Sequence, residues 1–301
     1  MSQARPLRTA AIDVGSNSIK MLAADQTQAG FFPIWESRRT VTVRLQSGLK
    51  DGMLDEAALK RATDAIGSLY WRALTFGAEK VVAYGTSALR DAKNADVLCE
   101  RIRKRFGIEL RVVSAASEAQ NSFAAAAPSG RAIAIDVGGG STEVSFGTDG
   151  KPERSVSIHH GAVSLMNATA GMGAETVAAY AADCVSRALA DLPQADRPVT
   201  LCGGTASCGA SVLFPGEKEI EGLPFSRAAA VDLYGRLWSM TPEQRRAMPG
   251  MRPDRTDILQ YGLALLIAIE SVLHIEETTV TKRNSLYGFA MRTAAGTEET
   301  P

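Results

Sequence analysis

The sequence predicts an α/β protein built from two similar domains that face each other across a cleft. Three observations predict it. The chain has 301 residues, more than one hydrophobic core usually serves, and 45% of them are apolar. The pentapeptide AIDVG occurs twice, at Ala11 in "AIDVGSNSIKML" and at Ala134 in "AIDVGGGSTEVSF", which sets Asp13 and Asp136 123 residues apart, about one small domain. After each copy the same succession follows: three strands, then helices and further strands. Five matching residues would be weak evidence of duplication; the matching order of elements strengthens it.

The elements follow in order. "RTAAIDVG" and "SIKMLAAD" are apolar runs joined at a Gly turn, and "FFPIWESRRTVTVRL" adds a third strand, alternating near its end. "DEAALKRATDAIGSLYWRALTFG" is an amphipathic helix that stops at a Gly. "KVVAYG" is a short buried strand, "NADVLCERIRKRFG" a helix, "ELRVVS" a strand and "SEAQNSFAAAA" a helix. The turn "PSG" at 128–130 closes the first domain, expected over 1–127. The pattern restarts in "AIAIDVG", "STEVSFG" and "PERSVSIH". A helix around 173–191, then "PVTLCGG", then helices alone complete a second domain over 128–285. A last helix, about 286–301, is expected to return to the first domain, and the terminal "GTEETP" to fray.

Composition excludes several classes. Lys+Arg and Asp+Glu both total 33, so no global field draws in a polyanion and no nucleic-acid polymer is expected. Cys99, Cys184, Cys202 and Cys208 form no CxxC pair, so neither a zinc site nor a disulfide framework is indicated. "MSQARPLRTAAIDV" lacks an apolar signal core, and the longest apolar stretch, "GLALLIAI" at 262–269, is too short to span a bilayer. Its surroundings, "TDILQYGLALLIAIESVLHI", predict a buried helix. The expected setting is soluble, reducing and cytoplasmic, with no membrane contact.

The Gly turns carry the chemistry. A Gly after a strand lets backbone approach a ligand closely, and successive N–H groups in a tight turn make an anion nest suited to phosphate. Ser16, Asn17, Ser18, Ser141 and Thr142 add side-chain donors, and an Asp at a strand end suits a hard cation. Taken alone, the first copy reads as an ordinary hairpin. "DVGGGSTE", flanked by Asp136 and Glu143, points more firmly to phosphate. A third turn, "LCGGTAS" with Gly203, Gly204 and Thr205, either opens onto the same cleft or serves packing. No Walker A motif and no strand–GxGxxG–helix fingerprint is present, which disfavours P-loop and Rossmann enzymes.

With these residues in place the chain resembles the exopolyphosphatase and guanosine pentaphosphate phosphohydrolase family, within the acetate kinase, sugar kinase, Hsp70 and actin superfamily. The match runs in the family's order through "IDVGSNSIKML", "VRLQSGL", "YGTSALRDAKNAD", "VVSAASEA", "IDVGGGSTEVSFG", "HHGAVSL", "LCGGTAS" and "RPDRTDILQYGLALL". "TSALRDAKN" and "DVGGGSTE" are its most specific pieces. The resemblance implies two duplicated actin-like, ribonuclease-H-like domains with an interdomain cleft, in the family's short form without added C-terminal helical domains. A homodimer is the family-level expectation.

The resemblance also implies roles. Glu118, in "SAASEA", takes the place of the family's catalytic Glu, which orients and deprotonates water. Asp136 and Glu143 take the places of the Asp and Glu that bind Mg2+ or Mn2+. The backbone of Gly138, Gly139, Gly140 and Ser141, and of Gly15, Ser16 and Asn17, would hold phosphate, with Arg90 and Arg44 as further contacts. The first copy, from Asp13 to Ser18, would grip phosphate only, because Lys20 stands where the second has Glu143. Ala115 replaces the family's usual Gly, Ala116 and Ser117 stand where acids are frequent, Ser164 stands where an Arg is common, and "RNSLYG" replaces a G-L-R-E-G pattern.

Other candidates have plainer explanations. Arg101, Arg103, Lys104 and Arg105 spread around a solvated helix. His159 and His160 suit a structural or exposed place at a strand end, and Trp35, Trp71 and Trp238 a core or interface. The leading expectation is an exopolyphosphatase that releases orthophosphate from inorganic polyphosphate. The alternatives are hydrolysis of the 5′ γ-phosphate of guanosine pentaphosphate, less readily a kinase of the same superfamily, and a non-catalytic polyphosphate- or nucleotide-binding regulator.

Overall fold

A computed structural model describes residues 6–297. Residues 1–5 and 298–301, among them most of the GTEETP end, lie outside the described residues. In chain order the elements are β1 (Leu7–Val14), β2 (Ser18–Thr27), β3 (Gly30–Thr42), a 3-10 turn (Leu45–Gly48), β4 (Leu49–Lys50), β5 (Met53–Leu54), α1 (Glu56–Thr75), β6 (Lys80–Gly85), α2 (Ser87–Arg90), α3 (Ala95–Phe106), β7 (Leu110–Val112) and α4 (Ala115–Ala126). The succession then restarts with β8 (Arg131–Val137), β9 (Thr142–Thr148), β10 (Lys151–Ile158), α5 (Ala162–Ala168), α6 (Ala174–Ala188), β11 (Val199–Cys202) and α7 (Gly203–Leu213). It ends with β12 (Pro224–Ser226), α8 (Arg227–Ser239), α9 (Pro242–Ala247), α10 (Leu259–Val272), β13 (Glu277–Val280) and α11 (Ser285–Ala295). The chain forms two compact units, Met1–Asn121 with Ser285–Pro301, and Ser122–Asn284, so the division falls inside α4.

In the first unit the sheet order is β3-β2-β1-β6-β7, with β1, β2 and β3 antiparallel and β6 and β7 parallel to β1. A strand covered on both faces reads as a continuous apolar run, and β1 is covered in this way. Ile12 and Val14 join Leu59, Ile66 and Leu69 of α1 and Leu98 and Ile102 of α3 on one face. Ala11 meets Leu286, Phe289 and Ala290 of α11 on the other. Each large side chain so buried stabilises by about 1.5–3 kcal/mol relative to exposure. The Tyr84 ring stacks on Phe289 at 4.3 Å, and its hydroxyl lies 2.9 Å from Thr293 Oγ1.

The start of α1 is fixed by Asp55, whose carboxylate accepts from Ala58 N. Its buried positions, Leu59, Ala62, Ile66, Leu69 and Ala73, recur at helical spacing. Trp71 falls off that stripe and is 61% exposed, so of the core or interface place the sequence suggests it does not take the core one.

The second unit repeats the plan. Its sheet order is β10-β9-β8-β11-β13-β12: β8, β9 and β10 are antiparallel, β11 and β13 continue in parallel from β8, and β12 runs antiparallel to β13. The helix expected in "TDILQYGLALLIAIESVLHI" is α10, which contacts α5, α6, α7 and α8 and buries most of its residues. One expectation fails. The stretch after "PVTLCGG" is not helical throughout, because β12 and β13 interrupt it; each has only three or four residues and gains its ladder from distant partners. Among the described residues no helix is long and apolar enough to cross a membrane.

Candidate active site

The two AIDVG copies close in the same way. Gly15 N donates to Ser18 O at 3.2 Å, and Gly138 N donates to Ser141 O at 3.0 Å. A Cβ at Gly15 would lie 3.0 Å from Ser18 O, and one at Gly138 would lie 2.9 Å from Ser141 O, so only glycine closes either turn without displacement. The first turn is braced by the segment after β3: Val43 N and Arg44 N donate to Asn17 O, and Gln46 N donates to Ser16 O. Arg44, at φ 49°, therefore has its backbone against the turn. Ser16, Asn17 and Ser18 are buried, and Ser16 Oγ has no hydrogen-bond partner among the described residues.

The second turn is seated on the start of α5. Ala162 N donates to Gly138 O, while Val163 N and Ser164 N donate to Gly139 O. Ser164 Oγ donates to Gly140 O at 3.0 Å and accepts from Gly161 N at 2.8 Å. In a trans peptide the C=O and the following N–H point in opposite directions, and no cis bond is present among the described residues. With the carbonyls of Gly138, Gly139 and Gly140 drawn toward α5, the N–H groups of Gly139, Gly140 and Ser141 point away from it. Outward N–H groups in succession are the chemistry that suits an anion. Ser164, at a place where Arg is expected, thus fastens the turn. The Thr142 hydroxyl donates to His160 O at 2.7 Å. His160 is half-buried with its ring edge-on to Tyr180, and burial pushes its imidazole below the usual histidine range.

Beside this turn Asp136 and Glu143 are direct partners across the β8–β9 pair, which puts both carboxylates on one sheet face. They are 7% and 2% exposed. Ser122 Oγ donates to Asp136 Oδ2 at 2.8 Å and Ser157 Oγ to Glu143 Oε1 at 3.0 Å. Like charges directly opposite each other destabilise a sheet unless a cation joins them. Among the described residues no group of three or more His, Cys, Asp or Glu is placed to hold a metal. Two hard oxygen ligands nevertheless fit Mg2+ or Mn2+, since Mg2+ keeps several waters and commonly takes one or two carboxylates plus substrate phosphates. In the first copy the corresponding partners are Asp13 and Lys20, with Lys20 Nζ 3.4 Å from Asp13 Oδ2.

The third Gly segment is a direct strand-to-helix junction: β11 ends at Cys202 and α7 begins at Gly203. Cys202 is the β8 partner of Asp136, and a Cβ on Gly203 would overlap Asp136 Oδ1. Gly203 also sits at φ 84°. Gly203→Ala is expected to cost about 1–2 kcal/mol from left-handed backbone alone, before Asp136 is displaced. Chemical denaturation checks this, and an unchanged midpoint would contradict it. Thr205 Oγ1 donates to Val137 O at 3.3 Å.

One group at this junction went unassigned from sequence. The Arg255 guanidinium lies where a Cβ of Gly204 would be, and the residue is 3% exposed. Its Nε is 3.3 Å from Asp254 Oδ2, yet neither Nε nor Nη1 makes a hydrogen bond among the described residues. Burial, then the neighbouring Arg252, pushes the guanidinium below its ordinary value. Arg252 Nη1 donates to Ser207 Oγ at 3.3 Å. Two guanidinium groups at the N-terminus of α7 favour an anion. The available signal was the pair of arginines three apart in "RPDR".

Glu118 lies in the first turn of α4, where Ser114 Oγ accepts from Ser117 N and Ser114 O from Glu118 N. Arg90 Nη1 donates to Glu118 Oε2 at 2.7 Å and to Val113 O at 3.2 Å. The side chains are 21% and 12% exposed, so the pair is held yet open to solvent. The candidates thus fall into two groups. Glu118 with Arg90, and the Asp13–Ser18 turn with Arg44, belong to the first unit; Asp136, Glu143, Gly138–Thr142 and Gly203–Thr205 belong to the second.

The chain is 28% identical over 285 residues to a guanosine-5′-triphosphate,3′-diphosphate pyrophosphatase of Aeromonas salmonicida, covering 90% of this chain and 56% of that one. It is 28% identical over 279 residues to a putative exopolyphosphatase of Haemophilus influenzae, covering 89% and 85%. The chain spans about half the length of the first curated relatives it matches. A solved exopolyphosphatase from Cytophaga hutchinsonii shares the fold with a TM-score of 0.84 at 23% identity, over 96% of this chain and 98% of that one. The fold is α/β, with two actin-like units. The sequence pattern of the Ppx/GppA phosphatase family matches residues 24–289, and the chain belongs to that family.

Proposed function

We propose that this protein is a metal-assisted phosphoanhydride hydrolase that releases orthophosphate from the end of inorganic polyphosphate. The observation that carries this is the buried cross-strand pair Asp136 and Glu143 beside a turn whose N–H groups point outward. Phosphoryl transfer to water needs neutralised charge, a held phosphoryl group and a positioned water. Asp136 and Glu143 would hold Mg2+ or Mn2+, which when bound supplies charge neutralisation at the phosphate oxygens. The Gly139–Ser141 turn and the first turn at Ser16 and Asn17 hold phosphate by backbone donors, and Arg255 and Arg252 add guanidinium donors; Gly15 N is already committed to Ser18 O. Glu118, steadied by Arg90, accepts the proton of the attacking water. The P–O–P bridge breaks, the water oxygen joins the released phosphate, and the shortened chain keeps the bridging oxygen.

A second substrate, guanosine pentaphosphate, is favoured by the Aeromonas relative, whose named activity is on that nucleotide and whose match covers 90% of this chain. Phosphate release from polyphosphate, guanosine pentaphosphate and ATP, measured side by side with Mg2+, tests both. Fastest release from polyphosphate is expected. Faster release from the nucleotide would favour the second substrate, and tight polyphosphate binding without turnover would make the protein a regulator.

A further inference from the structure

We infer that Ser122 and Ser157 are positioning residues that orient the two metal-siting carboxylates; the inference rests on the assignment of Asp136 and Glu143 as the metal pair. A serine or threonine inside a helix commonly returns its single hydroxyl proton to the carbonyl one turn back. Thr63 and Ser211 do so, donating to Leu59 O and Ser207 O. Ser122, on α4 one turn after Glu118, gives its proton to Asp136 Oδ2 at 2.8 Å instead. It is itself buried, so the bond is shielded from water. On the opposite oxygen, Asp136 Oδ1 lies against Gly203. The carboxylate is therefore held from two sides, by a hydroxyl from α4 and by the bare Cα of the strand-to-helix junction.

Glu143 is treated alike. Its partner in the β9–β10 register is Ser157, which donates to Oε1 at 3.0 Å. One row across the sheet thus runs Ser157, Glu143, Asp136, Cys202, with a serine bonded to each acid. In the first unit the matching row runs Thr40, Lys20, Asp13, Tyr84, and there Lys20 steadies the acid. Two buried carboxylates facing each other repel and turn apart unless their rotamers are fixed. Hydroxyls that accept no competing role fix them before the cation arrives, which is how residues behind a metal ligand raise affinity.

Mn2+ alone, titrated into the full chain without substrate and followed by the electron paramagnetic resonance of the free ion, tests the inference. Ser122→Ala is expected to weaken Mn2+ binding about 10–100-fold, and Ser157→Ala to weaken it in the same direction. Ser122→Thr keeps the hydroxyl and is expected to restore most of the affinity. In turnover assays Ser122→Ala should raise the metal concentration for half-maximal rate while kcat at saturating metal stays within several-fold of wild type. Thermal melting in chelator separates orientation from misfolding, and an unfolded Ser122→Ala passes the decision to Ser157→Ala. Wild-type affinity in both alanine variants, with binding lost in Asp136→Asn, overturns the inference alone. Wild-type affinity in Asp136→Asn overturns the metal assignment beneath it.

Discussion

Glu118→Gln is expected to lower phosphate release about 10²–10⁴-fold, the range a positioned general base contributes. The substitution keeps size and shape, and the amide oxygen still accepts from Arg90 Nη1, so α4 and the loop at Val113 keep their contacts. What is lost is the group proposed to take the water's proton. The loss should fall on kcat, with Mn2+ affinity unchanged, because Asp136 and Glu143 are untouched. Steady-state phosphate release together with the metal titration checks both halves. Wild-type turnover in Glu118→Gln would remove this residue from the chemistry and leave it as a helix-terminus charge.

Glu270→Met is expected to stabilise the protein at neutral pH and to flatten its stability between about pH 5 and 8. Glu270 sits near the end of α10, is 0% exposed, and neither carboxyl oxygen has a hydrogen-bond partner among the described residues. Burial pushes its carboxyl up to about 8 from an ordinary 4.5; Arg227 at the start of α8 opposes the shift, and Glu276 and Glu277 beside and in β13 reinforce it. Below pH 4.5 both folded and unfolded chains hold the proton, and this group contributes no slope. Between about 4.5 and 8 the unfolded chain releases it while the folded chain keeps it. Stability therefore falls as pH rises, at up to about 1.4 kcal/mol per unit, and levels off above about 8. Methionine fills a similar volume without a polar group, and removing an unsatisfied buried one recovers on the order of 1–3 kcal/mol. Urea denaturation at pH 5, 7 and 9 checks this. An unchanged pH slope in Glu270→Met would show that another group carries it.

Much of the fold was legible because its signals are local. The AIDVG copies, their Gly turns and the three apolar runs after each are contiguous, and they mark the antiparallel halves of both sheets. The stripe of α1 and the apolar run of α10 show in helical spacing. β12 and β13 were missed because three or four residues carry no periodicity, and their pairing depends on strands far away in sequence. α5 was missed for a related reason: seven residues after "HHG" become a helix by bonding to the Gly139 carbonyl.

The candidate site divides along the same line. The acids and glycines belong to motifs and were named from sequence. Ser122, Ser157 and Arg255 were not, because each matters through a partner many residues away. Ser164 reads as a lost charge in sequence, yet it ties α5 to the Gly140 carbonyl. Glu270 disappears into "LLIAIESVL", where a single acid looks like the exposed edge of an apolar helix.

The pairing of Asp13 with Lys20 has a consequence for how the two halves diverged. The first turn carries its counter-charge covalently, so it is ready at any ion concentration. On the proposed assignment of Asp136 and Glu143, the second would borrow its own from the medium, which would make the supply of divalent ion a governor of that half alone. Every lysine codon lies one base from a glutamate codon. A single nucleotide change would therefore be enough to turn a self-sufficient pair like Asp13–Lys20 into one of the Asp136–Glu143 kind.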